Sequence, residues 1–143
     1  MNLKDMMIKY KGSVEIVNKS TGVTLSFENI VTNGFYNLVA DRLINNSENF
    51  ITHFAVGDNA TSVAITDTAM GNETFRKEIT NVSSVGAQIE LQTDILGNEA
   101  IGSWKEIGLF NASTVGTLTN HTNVDFSHTA GDLLTVVWKI DKV

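Results

Sequence analysis

Three histidines, His53, His121 and His128, are the side chains best suited to hold a metal or move a proton. Their spacing assembles no site. His121 and His128 stand seven residues apart, in a chain without cysteine, and match no compact zinc pattern. His53 lies in the apolar run FITHFAVG, where a hydrogen-bonded core or interface histidine is the commoner arrangement. The stretch GDNATSVAITD carries oxygen side chains at Asp58, Asn59, Thr61, Ser62, Thr66 and Asp67, but lacks the alternating ligand spacing and terminal bidentate acid of a calcium loop. Serine, histidine and acid are all present, yet no serine sits in a Gly-x-Ser-x-Gly elbow, and no glycine pattern resembles a phosphate-binding loop. Solvated acids on strand faces are a far commoner arrangement than the paired carboxylates of a glycosidase. No catalytic residue, metal or cofactor is expected.

One acid stands apart. In SWKEIGLF, strand alternation places Trp104, Glu106, Gly108 and Phe110 on one face and Lys105, Ile107 and Leu109 on the other. A carboxylate between two aromatic rings is exposed, badly buried or paired.

The elements around it read mostly as strands. SVEIV and VTLSF flank NKSTG, a short turn containing glycine, and predict a hairpin. In TNGFYNLVADRLI, Phe35, Leu38, Val39 and Leu43 follow helical spacing, predicting one amphipathic helix over about 33–45 capped by Thr32 or Asn33. FITHFAVG reads as a buried strand leading into a long polar loop. FRKEITNVSS reads as a return to strand. Ala87, Ile89, Leu91, Thr93 and Ile95 alternate with polar residues, which gives a half-wet strand. Further strands follow at SWKEIGLF, GTLTNHTNVDF and LLTVVWKI. The whole predicts a mainly β fold, an antiparallel β-sandwich or flattened barrel of about seven or eight strands with one helix. Trp104 and Trp138 are expected in its core.

At 143 residues, with 42 % apolar and 18 % charged residues, the chain has the size and composition of one folded domain. A net charge of −6 argues against nucleic-acid binding, which needs clustered Lys and Arg. Lys4, Lys9, Lys11 and Lys19 gather near the start; this is either a solvated face or, through Lys4, Lys9 and Lys11, an arm that docks on an acidic partner. MNLKDMMIKYKG has no apolar stretch of signal-peptide or membrane-span length, so synthesis and assembly in a cytoplasm are expected.

Three segments together resemble a widespread family of small bacteriophage virion domains, found in tail-fibre, tail-collar and neck or head appendage proteins. They are VTNGFYNLVADRL with ITHFAVGDNATS; TDTAMGNETFRKEI; and WKEIGLFNASTVGTLTNHTNVDF running into DLLTVVWKI. The matching positions are Gly34, Gly57, Glu73 with Arg76, Glu106-Ile107-Gly108-Leu109-Phe110, and Gly116-Thr117-Leu118, across about residues 30–141. Met70 replaces the usual Leu, Asp58 follows Gly57 where a second glycine is common, and Thr119-Asn120-His121 replaces a frequent basic position. Residues 1–29 fall outside the resemblance and are read only as an arm and hairpin of the same single domain.

The resemblance implies a non-enzymatic structural protein of a tailed-phage virion. Its partners would be other virion proteins and copies of itself, as a trimer, hexamer or dodecamer, with no nucleic acid or membrane. It also suggests that Arg76 pairs with Glu106, with Glu73 as rival partner for the same guanidinium. The alternative is a host-surface module that reads glycan or protein through the loops at 57–68 and 111–116. Asp58, Asn59, Thr61, Asp67, Asn111 and Thr114 are its candidate contacts.

Overall fold

A computed structural model describes residues 9–143. They form nine strands and one helix. In chain order these are β1 (Tyr10–Asn18), β2 (Thr24–Val31), α1 (Asn33–Ile44), β3 (His53–Gly57), β4 (Glu73–Glu78), β5 (Asn81–Val85), β6 (Gln88–Ile95), β7 (Gly102–Phe110), β8 (Leu118–His128) and β9 (Leu134–Lys142). The strands pair antiparallel in the order β4-β3-β7-β8-β2-β1-β9-β6-β5, one sheet curled into a half-barrel. The mainly β, antiparallel expectation with a single helix holds. The strand count is higher because FRKEITNVSS is two strands. The chain leaves β4 at one sheet edge and enters β5 at the other. Its crossing is satisfied by Ile79 N–H donating to the Thr52 carbonyl and Thr80 N–H to the Gln92 carbonyl, both 2.8 Å.

Curling brings apolar side chains from both halves of the sheet into one core. Val14, Ile16, Leu91, Trp138 and Ile140 come from one half; Phe54, Val56, Trp104, Ile107 and Leu109 come from the other. Both tryptophans are core residues, as expected. The N-terminal hairpin belongs to this core, since β1 lies between β2 and β9. Lys11 is a β1 residue opposite Asp141, and the Lys9 carbonyl accepts the Val143 N–H at 2.7 Å. These two lysines are therefore held at a strand end and do not form a free docking arm. Lys4 lies outside the described residues.

Helix α1 closes the core with Phe35 and Leu38, while Tyr10 packs edge-on against Phe35 with centroids 5.1 Å apart. Two details differ from the periodic reading. Thr32 is the N-cap residue but makes no capping bond; its hydroxyl donates instead to the Leu118 carbonyl at 2.6 Å. That contact brings the helix start onto β8, and only glycine fits there, because a Cβ on Gly34 would lie 2.5 Å from the Leu118 oxygen. Leu43, although in phase with the apolar stripe, is 79 % exposed, at the rim of a groove that it lines with Phe50 and Val82. Leu38→Ala should thus cost about 2–4 kcal/mol by chemical denaturation, whereas Leu43→Ala should stay within about 0.5 kcal/mol of the parent.

Candidate functional site

The polar centre of the molecule lies on the outer face of the β3-β7-β8 sheet, under the loop 58–72. It is set by the register of β7. Against β8 the pairing shifts between Trp104 and Glu106, where Val124 and Asp125 together oppose Lys105 alone. Trp104 therefore joins Ile107 and Leu109 in the core, and Glu106 is left on the opposite face with Gly108 and Phe110. Simple alternation had placed Trp104 with Glu106; the bulge separates them.

Glu106 is buried, and its carboxylate is saturated. Oε1 accepts from the Gly71 N–H at 2.7 Å and contacts His121 Nε2 at 2.8 Å; Oε2 accepts from the N–H groups of Asn72 at 2.7 Å and Asn59 at 3.2 Å. The other ring nitrogen of His121, Nδ1, lies 2.8 Å from Asp67 Oδ2, which also accepts the Ala64 N–H at 2.8 Å. His121 thus bridges two carboxylates, and each short N···O contact needs one shared proton. Asn123 completes the clamp, with Oδ1 accepting from Val63 N–H and Nδ2 donating to the Thr61 carbonyl.

Backbone space makes this possible. A Cβ on Gly57 would fall 2.6 Å from Glu106 Oε2, so glycine is what lets the side chain cross β3. A Cβ on Gly108 would meet Met70 Sδ at 2.8 Å, so glycine there seats Met70 in a small cluster with Ala55, Phe110 and Leu118.

Arg76 does not pair with Glu106. Its guanidinium makes a bidentate pair with Glu73, Nε to Oε2 and Nη2 to Oε1, both 2.6 Å. It lies over the Phe110 ring at 3.7 Å, and Nη1 donates to the carbonyls of Ala112 and Val115. The reason is again a register shift. Gly57 faces Glu73 while Val56 faces Phe75, so Thr74 is an extra residue in β4, and the shift brings Glu73 within reach of Arg76 three positions on. Arg76 is the pin of the 111–117 loop, and Glu106 is the pin of the 58–72 loop.

Of the six candidate contact residues, three face solvent: Asp58, Thr61 and Thr114. Asp67 turns inward to His121. Asn59 is half-buried, its side chain accepting the Thr61 N–H and its backbone bound to Glu106. Asn111 is buried as a bracket, donating to the Asn49 carbonyl at 3.1 Å and accepting the Thr117 N–H at 2.7 Å. The sequence reading missed His121 as a partner of Glu106. Its signal was present in the run of polar residues Thr119 to Asn123 inside a strand otherwise bounded by core residues.

Chemically, the arrangement holds a loop. Asp67 and Glu106 sit on opposite nitrogens of His121, so they cannot converge on one ion with it; among the described residues no group of three or more His, Asp or Glu could hold a metal. The cavity beside them, lined by Asn59, Ser62, Asp67, Gly71, Glu106 and His121, measures about 90 Å³. Small-molecule sites run to roughly 300 Å³ and above, so this one has room for water but not for a sugar or nucleotide. Comparison with protein-family models, curated proteins and solved structures finds no match to this chain.

Glu106→Gln removes the charge from a carboxylate that only donors surround, and its amide N–H₂ must then face one of them. The expected loss is about 3–5 kcal/mol in a denaturant melt. Because Glu106 and His121 share one network, Glu106→Gln with His121→Gln should lose less than the sum of the single variants. Glu106→Gln with Arg76→Met should instead add within about 0.5 kcal/mol. His53, beside Thr52 at the end of β3, has its pKa drawn below the ordinary 6.5 by burial and by Arg76, against an opposing pull from Glu78. Its stabilising contribution is complete above pH 6.5 and is lost as pH falls through the lower folded value. An NMR titration should place the His53 midpoint below 6.5.

Proposed function

We propose that this chain is a non-enzymatic structural component of a tailed-phage virion, a tail, collar or neck, baseplate or fibre-anchoring module that works by protein–protein assembly. One observation carries the reading: the motif residues of the resemblance build the scaffold. Gly34 seats the helix; Gly57 and Gly108 make room over the sheet; Glu73 with Arg76, and Glu106, pin the two long loops. Gly116, at φ 71°, follows Val115, whose carbonyl Arg76 holds. The ionisable side chains at the polar centre bond to loop backbone or to one another, and the cavity beside Glu106 and His121 has room only for water. On this reading the protein is made in the host bacterial cytoplasm, joins the particle there, and assembles as a trimer, hexamer or dodecamer alongside other virion proteins.

A second reading keeps one specific support. The two pinned loops meet over Arg76 and Phe110, where Thr68, Ala69, Val115 and Gly116 line a hollow of about 290 Å³. A receptor-binding module would present such a joint surface to a host glycan or protein. Mass-spectrometric analysis of purified particles, with native mass measurement of the isolated protein, tests the first reading. Stoichiometric copies in the particle and a defined oligomer are expected, and absence from the particle would contradict it. Saturable binding on a glycan array by the isolated protein, lost on substituting Thr114, would favour the second.

A further inference from the structure

The two edges of the curled sheet are built differently. Strand β4, at one edge, carries Glu73, Arg76, Lys77 and Glu78 among its six residues. Strand β5, at the other, is Asn-Val-Ser-Ser-Val, uncharged and exposed at every position. Charges on an edge strand guard it against pairing with another chain; an uncharged, proline-free edge is open to it.

The geometry of the open edge is specific. Gly86 and Ala87 form a two-residue turn, with Gly86 at φ 59°, closed by the Val85–Gln88 pair. In such a hairpin the closing pair exchanges both backbone bonds, and bonded pairs then recur at every second residue. Asn81, Ser83 and Val85 therefore bond to β6, while the N–H and C=O groups of Val82 and Ser84 point outward. Strand β5 is the sheet edge, and outside its ladder with β6 no backbone hydrogen bond among the described residues reaches them. Val82 shares a face with its β6 partner Leu91 and lines an apolar groove of about 320 Å³ with Leu38, Leu43, Phe50 and Ile89. Leu43, Phe50 and Val82 are 79 %, 59 % and 60 % exposed, so apolar surface continues up to the open edge.

We propose that β5 pairs antiparallel with β5 of a second copy of this chain, across a two-fold axis beside Ser83. The outward groups of Val82 and Ser84 bracket that axis, so Val82 of each copy meets Ser84 of the other and all four N–H groups find carbonyl acceptors. The same two-fold operation brings the apolar grooves of the two copies alongside one another. A second copy fits better than a charged partner strand because β5 has no charge to complement, and one strand supplies both halves of the register. The inference does not rest on the virion reading. It requires an even number of copies, as a dimer or as a dihedral hexamer or dodecamer, and excludes an isolated trimer.

Sedimentation equilibrium of the full chain across a wide concentration range tests it, with Ser84→Pro and Val82→Lys as variants and circular dichroism as the check on folding. Proline at 84 removes only the outward donor. By symmetry two interchain bonds go, and self-association should weaken by roughly tenfold to a hundredfold. Val82→Lys should do the same through a charge at the apolar edge, and it provides the reading if the proline variant does not fold. An even-numbered assembly that dissociates in the folded variants supports the inference. A monomer at all concentrations, an isolated trimer, or an even assembly indifferent to both substitutions overturns it. A trimer would leave the virion proposal standing; absence from particles with intact β5 pairing would overturn only that proposal.

Discussion

A single carboxylate buried on the outside of a sheet organises this molecule. Glu106 has left water, and the cost of that move is large unless every lone pair finds a donor. Three backbone N–H groups of the 58–72 loop and one imidazole supply the donors. Each neighbouring feature follows from that need. Gly57 clears the path of the side chain, and the β7–β8 bulge turns Glu106 away from the core that Trp104 enters. The strand His121 sits on places its ring between Glu106 and the loop acid Asp67. A fifteen-residue loop with little regular structure is thereby fixed without a hydrophobic core of its own beyond Met70.

The second loop is fixed by the opposite charge. Arg76 holds two carbonyls of the 111–117 turn, is neutralised by Glu73, and rests on Phe110. An anion that binds loop N–H groups and a cation that binds loop carbonyls thus stand on β7 and β4, the two strands that flank β3, on one sheet face. Both bind loop backbone, while Asp58, which accepts from the Asn72 amide, and Thr114 remain exposed on that side of the molecule. Between the exposed end of α1 and Val82 of the edge strand β5 the surface is instead an apolar groove. The two surfaces differ in chemistry and lie on different elements.

Much of the fold was legible in the sequence because period-two and period-3.6 patterns report burial directly. The helix, the first hairpin and the strand Gln88–Ile95 are visible that way. What escaped the pattern was register. FRKEITNVSS shows unbroken strand propensity, and nothing local reveals that its halves belong to opposite sheet edges. The Thr74 bulge decides that Arg76 meets Glu73, and the β7–β8 shift decides that Glu106 leaves the Trp104 face. Each is a one-residue irregularity that reverses a side-chain direction. The presence of a pinned acid at Glu106 was readable from its neighbours. Its partners were not, since three of the four are backbone N–H groups, which carry no sequence signature.

Backbone amide hydrogen exchange at Asn59, Gly71 and Asn72 tests the central claim most directly. If the Glu106 carboxylate holds the loop, these amides should exchange nearly as slowly as those in the core of β7, and the protection should vanish in Glu106→Gln while β7 stays protected. Exchange at the rate of an open loop in the parent protein, or protection that survives Glu106→Gln, would contradict it.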